Sequence, residues 1–236
     1  MKTKENYFLD TAYECRTECI RDGFWTEGRI AKEPFNGSRG VMEWVAKRLG
    51  DRQNTHSLLD VGCGPASKLP IFFPNFKITG IDTREGIALA QKNNPQGIFY
   101  ACNLDDDMEI ASVSEKLGKF DVILCIDVIE HVLFPEKMLR LIRKHLLPGR
   151  GEAYIATLER DISRGMDSGR QGSPIKAHIR EWNQDEFAQF IRSEGFLIHE
   201  CKLTPLSMQP TERTRHMRVQ TLRCSIPEDK EDASAE

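Results

Sequence analysis

An α/β fold with a doubly wound, Rossmann-like and mostly parallel sheet is predicted by three observations. From Leu58 onward, short apolar runs alternate with amphipathic stretches. The joins between them run to about 2–6 residues, the length that strand–helix units of a parallel sheet use. The first apolar run ends in an acid and a Gly-x-Gly turn, LLDVGCGPAS, and ligands of such sheets bind outside the carboxyl ends of the strands. We expect seven strands, the last antiparallel, with an N-terminal helical cap.

The chain has 236 residues, 39% of them hydrophobic, enough to bury one sizeable core. A net charge of -3 does not mark a polyanion binder. No segment approaches the ~18 consecutive apolar residues of a membrane span. The N-terminus lacks the apolar stretch and cleavage site of a secretory signal, so the expected location is cytoplasmic. Seven cysteines, none in a C-x-x-C pair, argue against zinc and disulfide frameworks. Three of them fall in or beside apolar runs, as small buried hydrophobes do. Cys15 and Cys19 are expected to share a helix face as packing.

Two helices are expected to open the chain, at 7–22 and 40–49, forming a cap or lid over residues 1–50. Between them a stretch rich in Gly and aromatics reads as a substrate-facing loop. SLLDVG, FKITGID, GIFYAC, FDVILCID, EAYIAT and GFLIHECKL read as strands, and the stretches near 86–93, 109–117, 135–146 and 184–194 as helices. LLPGRG reads as a helix stop and a turn into a buried strand. RHMRVQTLRCS supplies the last strand, closing a domain at 51–226. The acidic end, 227–236, lacks aromatics and is expected to be disordered.

Gly62 and Gly64 let the backbone pass close to a ligand because no Cβ intervenes. A dinucleotide fingerprint would place a third glycine at Ser67, and Pro65 removes an N–H that a pyrophosphate would want. ITGID ends in Asp82, about 20 residues beyond the first glycine, where a carboxylate accepts from ribose hydroxyls. A ribose without a pyrophosphate fits S-adenosylmethionine. LLDVGCGPAS, ITGID, FDVILCIDVIEHV and LLPGRG, in this order and spacing, resemble the class I S-adenosylmethionine-dependent methyltransferases from Leu58 to about Lys202. The cofactor residues this implies are Asp60, Gly62, Cys63, Gly64, Asp82, Thr83, Asn103, Leu104, Cys125 and Ile126. Asn103 stands where the family usually has an acid near the adenine amino group, and its amide oxygen can still accept. Ala66 stands where a third family glycine is common.

CIDVIEHV places Asp127, Glu130 and His131 at the carboxyl end of the fourth strand. If helix follows Cys125, their i,i+3 and i,i+4 spacings put all three on one face. Three readings stand: local capping and packing, a general base at His131, or a site for a divalent cation. Carboxylate and imidazole are ligands that Mg2+, Mn2+ and Fe2+ accept. IKAHIREWNQDEF adds His178 and a helix start, with Asn183 as N-cap and Glu186 at the capping-box position. Quinone O-methyltransferases and small-RNA 3′-terminal methyltransferases look similar here. Both pair an acid-x-x-Glu-His stretch with a later histidine, and relatives of both hold a divalent metal there. The resemblance implies Asp127, Glu130, His131 and His178 as ligands of Mg2+ or Mn2+, with His131, His178 and Glu130 as the catalytic groups. Asp127 is a shorter arm than the family's usual Glu.

The long insert TLERDISRGMDSGRQGSPIKAHIREW is expected to face the acceptor. It resembles sugar-biosynthesis methyltransferases, and Arg160, Asp161, Arg164 and Arg170 would suit a polyhydroxylated or anionic acceptor; each alone is more simply a solvated charge. Tyr7, Phe24, Trp25 and Phe35 are candidates to stack on a ring or to pack in the core. The leading acceptor is a hydroxyl of a sugar, glycan or small metabolite, with a phenol or quinone as the alternative. An RNA 3′ end is the rival: TERTRHMR is basic, but the net charge and the lack of an appended RNA-binding module oppose it. A nicotinamide oxidoreductase is disfavoured by Ser67 and Pro65, and an inert binding protein by the intact Asp127–Glu130–His131 cluster. The sequence does not fix the oligomeric state.

Overall fold

The computed structural model describes residues 6–10, 12–18, 39–50, 56–165, 172–206, 211–212 and 214–228. Helix α1 spans Arg39–Leu49, followed by β1 (His56–Val61), β2 (Phe76–Asp82), α2 (Arg84–Asn93) and β3 (Ile98–Ala101). Then come α3 (Asp107–Ser114), β4 (Val122–Ile126), α4 (Pro135–His145), β5 (Glu152–Leu158) and α5 (Arg160–Arg164). Helix α6 (Gln184–Ser193), β6 (Leu197–Pro205) and β7 (Arg218–Ser225) complete the order.

The seven strands form one sheet ordered β3-β2-β1-β4-β5-β7-β6. The first five pair in parallel, and β7 runs antiparallel between β5 and β6. The order reverses between β1 and β4, which pair Asp60 with Leu124, so a cleft opens at the carboxyl ends of these two strands.

Alternation along the strands sends side chains to two cores. Leu58, Val122, Leu124 and Tyr154 pack on Val41, Val45 and Leu49 of α1 and on Ile87 of α2. Leu59, Val61, Ile123 and Ile155 pack on Met138, Leu139 and Ile142 of α4 and on Phe187, Phe190 and Ile191 of α6. Every residue of β4 is buried, as a central parallel strand covered on both faces requires. Asn183 and Glu186 form the capping box of α6. Helix α3 ends at Ser114, short of the expected 117.

The helix expected at 7–22 does not form over the described residues 7–10 and 12–18, which run as turns and bends. Tyr7 and Phe8 take φ of 55° and 61°. The backbone groups a helix would use bond elsewhere: the Tyr7 carbonyl accepts from Trp182 Nε1 (3.0 Å), and the Arg16 N–H donates to the Ile179 carbonyl (3.0 Å). Long-range partners thus satisfy this segment where helical periodicity had predicted local ones. Cys15 is exposed in it, and Cys19 lies outside the described residues. So do residues 229–236 of the expected tail.

One buried histidine makes the fold pH-sensitive. His145 Nδ1 faces the Gly118 carbonyl (2.8 Å) and its Nε2 faces the Ser114 hydroxyl (2.8 Å). Burial lowers its pKa from the ordinary 6.5, so the folded state takes up a proton less readily than the unfolded chain. As pH falls through 6.5 the unfolded chain takes up a proton that the folded chain refuses, and stability drops. Thermal denaturation across this range should show the midpoint falling toward acid, with a flatter slope in His145→Gln.

Candidate active site

Past β1 the chain turns through Gly62 (φ 78°) and Gly64 (φ 52°). The N–H groups of Gly62 and Cys63 both donate to the Ile81 carbonyl, at 2.8 and 3.1 Å. The Gly64 N–H donates to Asp82 Oδ2 (2.9 Å), and Asp82 Oδ1 accepts from the Thr83 N–H (2.7 Å) and hydroxyl (2.9 Å). Asp82 therefore orders the glycine turn and the start of α2 together. From behind, the side-chain amides of Asn93 and Asn94 donate to the carbonyls of Pro65 (3.1 Å) and Ala66 (3.0 Å). Ala66 itself has φ 56°, so the backbone here asks for the family's glycine; left-handed backbone costs a non-glycine roughly 1–2 kcal/mol.

The other residues expected to hold a cofactor divide by what they can offer. Cys63, Leu104, Cys125 and Ile126 bury their side chains in the two cores, which leaves only their backbones to face the cleft. Asp60 is buried beneath the turn. Asn103 is exposed, but its amide oxygen already accepts from the Asp105 N–H (3.1 Å).

The chemistry-bearing side chains gather beyond β4. Ile129–His131 form one turn of 3-10 helix. Glu130, His131 and His178 bring one ligand atom each within 4.8 Å of one another. Asp127 is outside this group. Its φ is 56° and its N–H donates to the Ala156 carbonyl (3.0 Å), so the helical face expected to unite it with Glu130 and His131 does not exist.

Glu130 is 1% exposed, and its Oε2 is buried without a hydrogen-bond partner among the described residues. Burial pushes its carboxyl up to about 7, with His178 opposing and Asp127 reinforcing the shift. His131 Nδ1 lies 2.7 Å from the Ala177 carbonyl, and His178 Nδ1 lies 2.7 Å from Glu181 Oε1. Both Nδ1 atoms face acceptors, so in the neutral ring Nδ1 carries the proton and Nε2 the lone pair. The rings meet edge-on, 4.8 Å apart. A carboxylate oxygen with an open valence and two imidazoles anchored through Nδ1 fit a divalent cation, since ligating histidines are normally held in this way.

The segment carrying His178 is fastened to the 3-10 turn. The Ile179 N–H donates to the Glu130 carbonyl (2.8 Å), and Arg180 donates to the carbonyls of Val132 (2.9 Å) and Leu133 (3.0 Å). Tyr7 lies under the Arg180 guanidinium (4.3 Å) and edge-on to Phe190 (5.4 Å), a packing role. Two of the insert's arginines are also internal. Arg160 pairs with Glu186 (2.6 Å) and Asp161 (2.9 Å), and Arg164 with Glu181 (3.1 Å). They are not arrayed toward an acceptor. Phe24, Trp25, Phe35 and Arg170 lie outside the described residues.

Glu181 had no place in the sequence reading. Although burial pushes its carboxyl up, hydrogen bonds from His178 and Arg164 bring it down to about 2. Its signal was the i,i+3 spacing from His178 in HIREW, which is also common in ordinary surface helices.

A switch-point cleft with a glycine turn, an acid on the second strand and an antiparallel last strand is the architecture of the class I S-adenosylmethionine-dependent methyltransferases. The chain belongs to the methyltransferase domain family, whose model matches residues 35–200. A ubiquinone biosynthesis O-methyltransferase of Caulobacter sp. (strain K31) is 30% identical over 226 residues, which cover 84% of this chain and 85% of that protein. One from Rickettsia akari (strain Hartford) is 31% identical over 163 residues, and the mitochondrial one of Saccharomyces cerevisiae (strain ATCC 204508 / S288c) is 30% identical over 132. The chain spans 61% of the Rickettsia protein and 41% of the yeast one, against 64% and 54% of its own length.

Solved structures agree on the fold. The putative methyltransferase in complex with the Haloferax volcanii Trm112 activator superposes with a TM-score of 0.68 at 16% identity, covering 89% of this chain and 98% of that one. The [4+2]-cyclase SpnF superposes with a TM-score of 0.62 at 17% identity, covering 91% and 88%. A cyclase on this fold shows that the architecture alone does not set the reaction. Among the described residues no helix is long and apolar enough to cross a membrane.

Proposed function

We propose that this protein transfers the methyl group of S-adenosylmethionine to a hydroxyl of a small metabolite, with a phenolic hydroxyl as the leading acceptor. The observation that carries this is the convergence of Glu130, His131 and His178 within 4.8 Å beside the switch-point cleft. Two things favour a phenol over a sugar. The curated relatives are named as ubiquinone biosynthesis O-methyltransferases, and Arg160 and Arg164, which had favoured a polyhydroxylated acceptor, are consumed by internal ion pairs.

The glycine turn and Asp82 would hold the cofactor at the carboxyl ends of β1 and β2, beside the end of β4. The acceptor oxygen attacks that methyl in line, the carbon–sulfur bond breaks, and S-adenosylhomocysteine leaves as a neutral thioether. Much of the rate comes from alignment. The hydroxyl proton must leave as the oxygen attacks, and in the metal-free site His178 Nε2 offers the lone pair that takes it. Glu130, His131 and His178 would hold Mg2+ or Mn2+, which when bound supplies Lewis acidity toward the acceptor hydroxyl.

The test is to incubate the protein with labelled S-adenosylmethionine and separate pools of catechols and phenols, sugars, and small RNAs. Label should enter the phenolic pool, fall after EDTA treatment and return with Mn2+. Label in the sugar or RNA pool would move the acceptor. Full activity after EDTA would remove the cation.

A further inference from the structure

We propose that Glu181 is a positioning residue that acts through His178, fixing the imidazole as the Nδ1–H tautomer so that its Nε2 lone pair faces Glu130 and His131. This rests on the reading of His178 as ligand or base. Glu181 is 1% exposed and collects donors from separate stretches of chain. Its Oε1 accepts from His178 Nδ1 (2.7 Å), the Ser173 hydroxyl (2.6 Å) and Arg164 Nη2 (3.1 Å), while Oε2 accepts from Arg164 Nε (3.2 Å). Its own N–H donates to the Tyr13 hydroxyl (2.8 Å).

The arrangement decides which form of the ring is present. A buried carboxylate needs a matching charge and filled lone pairs. Arg164 supplies the charge through two nitrogens, and Ser173 fills a further acceptor position. His178 therefore need not become imidazolium to satisfy Glu181; a neutral ring giving one proton from Nδ1 is enough. An Nε2–H tautomer would set two lone pairs, on Nδ1 and Oε1, against each other at 2.7 Å. The carboxylate thus excludes the tautomer that could neither ligate nor accept a proton at the cleft. His131 has the weaker version of this device, a backbone carbonyl at its Nδ1. Tyr13 meets the backbone N–H of Glu181 and Ser173 its carboxylate, so the N-terminal segment and the insert converge on one residue.

The experiment uses the full chain with 15N-labelled histidine and long-range proton–nitrogen spectra above neutral pH, with His131 as internal reference. Wild type should show His178 with Nδ1 protonated and Nε2 bare. A dominant Nε2–H signal would overturn the proposal whatever the activity. Glu181→Ala should give mixed tautomers at His178 and lower kcat about 10–100-fold with KM for S-adenosylmethionine unchanged. Glu181→Gln, which keeps an acceptor oxygen of the same reach, should recover part of kcat. A folded Glu181→Ala protein that keeps a single Nδ1–H tautomer at His178, even with reduced kcat, would mean a structural role only and overturn the proposal. If that variant does not fold, the wild-type spectrum and the Gln variant decide. The tautomer does not depend on turnover, so an inactive wild type would count against the proposed reaction and leave this measurement to stand or fall separately.

Discussion

Replacing His178 with alanine should slow methyl transfer by about 10²–10⁴-fold, the range typical of losing a placed general acid or base, while S-adenosylhomocysteine binds as before. The separation follows from where the groups sit. In the proposed reading the cofactor is held by the turn at Gly62–Gly64 and by Asp82, which bond to one another, to the Ile81 carbonyl and to Thr83. That segment keeps its anchorage without the ring, because Ile179 and Arg180 still reach the carbonyls of Glu130, Val132 and Leu133. Calorimetry with S-adenosylhomocysteine and steady-state rates read the two halves independently. The metal dependence of the residue then sorts its roles. A lost ligand is partly offset by excess Mn2+, whereas a lost base is not. A His178→Ala protein as fast as wild type would leave the ring with a packing role.

Much of this was legible in the sequence, and the reason differs from part to part. The sheet was legible because parallel strands buried on both faces are nearly continuous apolar runs, and VILCI in β4 is buried throughout. The place of Asp82 at the tip of the second strand was legible, while its bonds to Gly64 and Thr83, which order the turn, were not. The capping box at Asn183 and Glu186 is a local motif and formed as read. What failed was non-local. The segment around Tyr7 has helical spacing but spends its backbone groups on Trp182 and Ile179, far away in sequence. Asp127 was grouped with Glu130 by assuming helix after Cys125; the backbone instead takes φ 56° at Asp127. Arg160 and Arg164 looked like acceptor contacts until their carboxylate partners, contributed by Glu186 and Glu181, came into view. Local pattern thus gave the elements and single motifs, and tertiary partners decided which polar residues remained for chemistry.

Gly62→Ala should abolish cofactor binding, and the cause can be divided experimentally. A Cβ at this position would lie 2.3 Å from Val128 Cγ2 and 2.8 Å from Cγ1. Val128 is the residue before the 3-10 turn of Glu130 and His131, so the glycine turn rests directly on the loop that carries the proposed catalytic cluster. Relieving the collision means moving one or the other. Overpacking of this kind costs about 1–3 kcal/mol. The φ of 78° adds roughly 1–2 kcal/mol of left-handed strain for a residue with a Cβ. Removing the Val128 methyls addresses only the first cost. The double variant Gly62→Ala, Val128→Ala should therefore recover part of the thermal stability and part of the affinity for S-adenosylhomocysteine lost in Gly62→Ala alone, and the unrecovered remainder measures the backbone strain. Additive losses from the two changes would instead show that the glycine turn and the catalytic loop are energetically independent. In that case the close approach of Gly62 to Val128 would play no part in setting the methyl donor against the acceptor.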